Sequence, residues 1–240
     1  MDFSIVIPVY NNSNTLVYLH QSLLKIISEY SFSFEIIYVE DFSTDNSLEI
    51  LKEIKRETPF VRIIQLAYNH TQQVSLYIGM KHATGKYAIF MSADLQEELS
   101  LVNKYIEYTN IYPSADLLIG YRTANKDYLI FRLLSRLFYK IIRLKIKNIP
   151  ENGFDTICIE HFALQRFLTA HRNNSFLQAE LVKSAKKVIT VPYIRLKSSN
   201  DKLNIRGLLS KIKYFVLSLY DVYFENKDTS PVKYEIKAIL

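Results

Sequence analysis

Apolar runs and amphipathic stretches alternate along the first hundred residues. FSIVIPV (3–9) is a short apolar run with β-branched side chains and predicts a buried strand. Leu16, Leu19, Leu23, Leu24 and Ile27 share one face of a helix spanning 15–30. A second strand is expected at 34–39 and a helix from about 47 to 57, with Thr44, Asp45 and Asn46 as candidate N-caps. A third strand (61–67), a helix (72–83) and a fourth strand (87–91) follow. Gly85 suits the left-handed position that closes the third helix.

Strands that alternate with helices at this spacing predict an α/β fold with a mainly parallel sheet. In such sheets ligands bind beyond the carboxyl ends of the strands. Three polar turns fall there: YNN after the first strand, EDFSTD after the second and SADLQ after the fourth. Singly they are ordinary loop chemistry, but on one edge they make a constellation.

The second half is less regular. A strand is expected at 115–120, leading to Arg122, then a long basic and aromatic helix at 129–145. NGFDTICIE (152–160) reads as a turn and strand, 160–171 as a helix and 187–193 as a strand. Residues 205–224 predict an amphipathic helix rich in aromatics. No repeat or linker divides the chain. One domain is expected, with a nucleotide-binding half (1–125), an acceptor half (126–204) and an amphipathic helix and tail (205–240).

Composition narrows the class. Hydrophobic residues make up 49% and charged residues 22% of the 240, a globular balance. The lone Cys158 excludes an internal disulfide, and the scattered histidines argue against structural zinc. No signal peptide or membrane-spanning run is read, so the expected location is cytoplasmic, with a peripheral contact on the inner face of the membrane through the 205–224 helix. Packing of that helix on the core is the competing expectation. The net charge of +6 is concentrated in the back half, where Arg132, Arg136, Lys140, Arg143, Lys145 and Lys147 follow one another without an acid. Such a face suits phosphorylated substrates or anionic lipid, and no recognised motif supports nucleic acid as the partner.

Seven segments in register resemble glycosyltransferase family 2, in particular its dolichol-phosphate mannose synthase and bacterial polyprenyl-phosphate sugar transferase branch. VIPVYNN (6–12) is similar to V-P-x-Y-N-E, VEDFSTDNS (39–47) to V-D-D-G-S-T-D-x-T, and SADLQE (92–97) to D-A-D-L-Q-D. NHTQQVSLYIGMKHATGKY (69–87), GYR (120–122), NGFDTICIE and DKLN (201–204) resemble further segments of the pattern. The resemblance implies a GT-A fold and inverting transfer from a UDP- or GDP-linked sugar. The implied acceptor is a polyprenyl phosphate or lipid-linked saccharide, in bacterial cell-surface polysaccharide synthesis. It implies donor contacts from Pro8, Tyr10, Asn11, Glu40, Asp41, Asn69, Gln73, Ser92, Ala93 and Asp94. It implies Mg²⁺ or Mn²⁺ on Asp94 and Gln96, catalysis by Asp94 and Asp155, and phosphate or acceptor contacts from Arg122, Arg195 and Lys202.

The chemistry is consistent with these residue types. Negative charge grows on the leaving diphosphate and needs a divalent cation or an Arg/Lys clamp. A phosphate acceptor needs no base, whereas a sugar hydroxyl does, and Asp155 is the candidate for it. The chain departs from the pattern at Ser92, where the first acid of the D-x-D motif is expected, at Asn12, at Phe42 in place of glycine and at Thr71. Ser92 removes one formal charge from the cation site. Glu97 or Glu98 is then either a substitute ligand or a residue in the first turn of the next helix. The alternative function is a degenerate, non-catalytic GT-A protein that binds nucleotide or a partner.

Overall fold

The structure, a computed structural model, describes residues 1–124, 129–171, 176–195, 205–224, 230 and 232–240. The first four strands are β1 (Phe3–Val9), β2 (Phe34–Glu40), β3 (Val61–Leu66) and β4 (Tyr87–Phe90). They alternate with α1 (Leu16–Ile27), α2 (Ser47–Glu57) and α3 (Gln72–His82), and α4 (Ser100–Ile111) follows. The second half runs β5 (Leu117–Ala124), α5 (Leu129–Lys145), β6 (Ile157–Glu160), α6 (His161–Ala170), α7 (Leu177–Ser184), β7 (Val188–Ile194), α8 (Ile205–Phe224) and β8 (Ile236–Ile239).

All eight strands form one sheet in the order β7-β5-β6-β4-β1-β2-β3-β8. β4 pairs parallel to β1, β1 to β2, β2 to β3 and β5 to β7, while β6 is antiparallel to both of its neighbours. The reversed β6 therefore begins at the edge where β4 and β5 end. The sheet is mixed and mainly parallel, as the alternation predicts.

Strand periodicity divides the core. Ile5 and Ile7 face one layer with Leu19 of α1, Leu51 of α2 and Tyr105 of α4. Val6 faces the other, with Ile78 of α3, Phe138 of α5, Phe167 of α6, Leu181 of α7 and Phe215 of α8. β1 and β2 are buried on both faces, which accounts for their unbroken apolar runs.

Three local expectations change. Gly85 is not left-handed, because α3 ends through Ala83 in extended backbone. Its missing Cβ instead lets β1 pass close by, since a Cβ there would lie 2.7 Å from the Ser4 amide nitrogen. The segment after 224 is not only a tail: Ile236–Ile239 pairs antiparallel with β3 and closes that side of the sheet. α7 was not foreseen as a separate helix; it packs on α6 in the α5–α8 layer.

Candidate active site

The carboxyl edge of the sheet gathers the polar turns. Asn11 after β1, Phe42 after β2 and Leu95 after β4 have φ of 54°, 60° and 58°. Left-handed backbone is uncommon for non-glycine residues and turns each segment sharply where its strand ends. Phe42 takes this conformation at the position where the family resemblance expects glycine.

Two clefts open along this edge. The smaller, of about 370 Å³, is bounded by Pro8, Tyr10, Asn12, Asp41, Asn69, His70 and Gln72, with Ser92, Ala93 and Asp94 on its far side. Asp41 is buried and shapes the cleft, its carboxylate accepting the His70 amide at 2.7 Å and its carbonyl accepting from Asn69 Nδ2 at 3.1 Å. The His70 ring stacks on Tyr68 at 4.4 Å and neither ring nitrogen has a hydrogen-bond partner, Nδ1 lying 3.5 Å from Asp41.

The larger cleft, of about 490 Å³, lies on the other side of Ser92 and Asp94. Its walls include Gln72, Gln73, Gln96, Arg122, Tyr139, Asn152, Asp155, Gln178, Arg195 and Tyr214. Here the reversal of β6 has its effect. Asp155, just before β6, meets Arg122 at the end of β5 and Arg195 just after β7. Asp155 is ion-paired with both guanidinium groups, at 3.7 Å for Arg195 Nη1. Arg195 also donates from Nε to Gln96 Oε1 at 2.9 Å, and Arg122 donates from Nε to the Tyr193 hydroxyl at 3.3 Å.

Gly153 positions this loop. Its φ is +66°, and a Cβ there would collide with the Tyr139 hydroxyl, so only glycine fits. Tyr139 in turn donates to Gln178 Oε1 at 2.9 Å, and Gln178 Nε2 donates to the Phe154 carbonyl.

The seam between the clefts is the turn after β4. Ser92 Oγ contacts Asp94 Oδ1 and lies 2.9 Å from Glu97 Oε2, which also accepts the Ser92 amide at 3.3 Å. Asp94 Oδ1 accepts the Gln96 amide at 3.1 Å. Glu97 is 4% exposed; burial, followed by the charge of Asp94, pushes its carboxyl above the usual carboxylate range against the opposing Ser92 hydrogen bonds. Glu98 points elsewhere, to Lys104 at 2.8 Å. Neither acid lies in α4, which begins at Ser100.

Most of the expected site residues converge on the two clefts, and some do not. Asn11 lines neither; its carboxamide accepts the Thr44 amide at 2.8 Å and ties the first two turns together. Glu40 is buried beneath its turn, accepting the Ser43 amide. Gln73 faces the larger cleft and donates to the Tyr214 hydroxyl at 3.1 Å, while Gln72 borders both. Adjacent helical residues point about 100° apart, so one position decides the cleft. Lys202, with its DKLN segment, lies outside the described residues. Tyr139, Gln178 and Tyr214 were not foreseen as cleft residues, because aromatic and amide side chains in helices carry no signal that separates lining from packing.

Among the described residues no three His, Cys, Asp or Glu side chains converge as a closed metal cage. Asp94, the Ser92 hydroxyl and the Gln96 side-chain oxygen are nonetheless hard oxygen donors on one turn that borders the larger cleft, the Gln96 oxygen being engaged by Arg195. That set fits Mg²⁺ or Mn²⁺ sharing its shell with substrate phosphate, which needs only one or two protein carboxylates.

Residues 4–170 match the profile of glycosyl transferase family 2. The chain belongs to this family. Relatives of this family 2 chain include the undecaprenyl-phosphate 4-deoxy-4-formamido-L-arabinose transferase of Pectobacterium atrosepticum, 25% identical over 224 residues, 92% of this chain and 65% of that protein. The prophage bactoprenol glucosyl transferase homolog of Escherichia coli is 25% identical over 198 residues, 81% of this chain and 64% of that protein. The chain spans about half to three fifths of the length of other curated relatives it matches. Among solved structures it is similar to glucosyl-3-phosphoglycerate synthase from Mycobacterium tuberculosis in complex with Mg²⁺ and UDP, with a TM-score of 0.68 and 12% identity over 92% of this chain and 79% of that one. A mannosyltransferase from Pyrobaculum calidifontis in complex with GDP-Man and Mn²⁺ gives a TM-score of 0.63 at 14% identity, covering 94% of this chain and 65% of that one. The fold of this family 2 chain is GT-A.

Proposed function

We propose that this chain is an inverting glycosyltransferase that moves a sugar from a UDP- or GDP-linked donor to a polyprenyl-phosphate or lipid-linked acceptor in bacterial cell-surface polysaccharide synthesis. The observation that carries the reading is the shared wall: Ser92 and Asp94 border both clefts, so a donor in one and an acceptor in the other meet at this turn. The names of the polyprenyl-phosphate transferases it resembles support the acceptor class.

Pro8, Tyr10, Asp41 and Asn69 hold the nucleoside in the smaller cleft. Asp94, Ser92 and Gln96 hold Mg²⁺ or Mn²⁺, which when bound neutralises charge on the diphosphate. Gln96 does so only if its oxygen is shared with, or released by, Arg195. In the larger cleft Arg122 and Arg195 bind the acceptor phosphate, which exchanges with Asp155 as their counter-charge. Engaged by two cations, Asp155 acts as a placeholder and aligning group rather than a free proton acceptor. That favours a phosphate nucleophile, which carries no proton to remove.

The membrane is the natural location of such an acceptor. α8 carries apolar side chains on two sides: Phe215 and Val222 pack inward beside Ser218, while Val216, Leu217, Tyr220 and Phe224 are exposed, Phe224 by 71%. α5, stacked on it through Phe138 and Phe215, exposes Leu137 and Leu144 beside Arg136, Lys140 and Arg143. Among the described residues no helix is long and apolar enough to cross a membrane. We read these faces as a surface contact with anionic lipid.

The test is calorimetric titration with UDP and GDP, with and without Mn²⁺, followed by transfer from the matching nucleotide sugars to undecaprenyl phosphate in vesicles. Binding and transfer are expected, and failure to bind either nucleotide overturns the reading. Ser92, in place of an acid, favours the non-catalytic alternative as the second reading; nucleotide binding without transfer to any acceptor identifies it.

A further inference from the structure

The substitution of serine for the first acid leaves the cation site one charge short, and the same turn holds a buried carboxylate that the reading above does not use. Leu95 bends the chain back after Asp94, and an isolated antiparallel bridge between Glu97 and Arg195 anchors the return. Glu97 then points inward instead of into the helix that follows. Its Oε2 stands 2.9 Å from Ser92 Oγ, and the same hydroxyl touches Asp94 Oδ1.

We propose that Glu97 is the replacement acid of the cation site, a positioning residue that acts through the Ser92 hydroxyl. A hydroxyl has one hydrogen to donate and lone pairs to offer. Between two carboxylates it donates to one at a time. When Asp94 turns its oxygens to a cation, the Ser92 hydrogen goes to Glu97, and the Ser92 oxygen is left to the cation with a negative charge behind it. The hydroxyl and the buried carboxylate together restore what one aspartate would have supplied. Groups that orient and polarise a metal ligand from behind typically change affinity 10–100-fold. The inference rests on the donor-site reading, and it concerns only how this chain compensates for Ser92.

The experiment is Mn²⁺ titration of the whole protein with saturating UDP or GDP, followed by the electron paramagnetic resonance of free Mn²⁺. Glu97→Gln keeps a hydrogen-bond acceptor for Ser92 and removes the charge. It is expected to weaken Mn²⁺ binding about tenfold or more, with nucleotide binding in the absence of metal unchanged. Ser92→Asp in the Glu97→Gln background is expected to regain the loss. In a Ser92→Ala background Glu97→Gln is expected to cost nothing further, since the relay is already cut. That pair also separates the effect from a simple folding defect, which would persist in both backgrounds. Equal Mn²⁺ affinity in Glu97→Gln and the parent overturns the proposal while leaving the donor site standing. Absence of nucleotide binding in the parent overturns both.

Discussion

The two edges of the sheet bury carboxylates in opposite ways. At the amino edge, Glu35 accepts from Ser4 Oγ at 2.6 Å, from the Thr84 amide and hydroxyl at 2.8 and 2.7 Å, and from Arg62 at 3.2 Å. Burial opposes its charge, but those hydrogen bonds outweigh it and hold the carboxyl below the usual range. The network is closed. At the carboxyl edge, Glu97 is pushed the other way, Asp155 balances two arginines, and buried atoms of His70 and Asn152 have no hydrogen-bond partner. All three left-handed non-glycine residues among those described lie there too. Buried polar groups left open and strained backbone are tolerated where a ligand is to complete them. The comparison assigns stability to one edge and chemistry to the other.

The largest effect should come from the seam. Asp94→Ala is expected to lower the rate of sugar transfer on the order of a thousandfold, while its exposed position keeps the change in stability within about 0.5 kcal/mol. Transfer assays and urea unfolding on the same preparation check both halves. A variant that transfers normally would remove Asp94 from the chemistry and with it the contrast between the edges.

The amino edge should answer in reverse. Glu35→Ala strips the acceptor from three donors and leaves Arg62 without its carboxylate, at a cost of about 3 kcal/mol. UDP affinity of the folded fraction should not move. Unfolding midpoints unchanged by this substitution would show that the closed network is not a stability device.

The front half of the fold was legible because its strands are buried on both faces and leave continuous apolar runs. Other features depended on distant partners. β8 is four residues of mixed character whose pairing is supplied by the open edge of β3. The grouping of Asp155 with Arg122 and Arg195 required the reversed direction of β6, which no local pattern encodes. The turn after β4 was recognised, but Glu97 was expected as a ligand or in the helix. Its inward course depends on Leu95 adopting a conformation that leucine seldom takes, and propensity predicts the opposite. Gly85 was misread because a glycine required for close approach looks the same in sequence as one required for a turn.

Strain at the carboxyl edge gives a smaller prediction. Phe42→Gly should relieve a left-handed non-glycine backbone and stabilise the fold by about 1 kcal/mol, since Phe42 is half exposed and contributes little packing. Denaturant unfolding measures it. Destabilisation would mean that the ring supports the turn, and the claim that strain gathers at this edge would then lose one of its three residues.

The smallest effect concerns a carboxylate that is closed although it lies at the open edge. Asp45 accepts the Ser47 amide at 3.0 Å and the Ser13 amide at 3.0 Å, joining the turns after β1 and β2. Burial raises its pKa, but the Ser47 and Ser13 hydrogen bonds outweigh that and hold it at about 2. The unfolded value is near 3.9, so the folded state favours the charged form. The contribution is present above about pH 4 and is lost as pH falls toward 2. Asp45 is only partly buried, and solvent screening keeps the effect small. Urea midpoints of the parent and of Asp45→Asn should therefore differ at pH 6 and converge by about pH 2. A difference that persists at low pH would assign the role of Asp45 to its shape rather than its charge. It would also leave Glu35, at the amino edge, as the buried carboxylate whose charge is held by its hydrogen bonds.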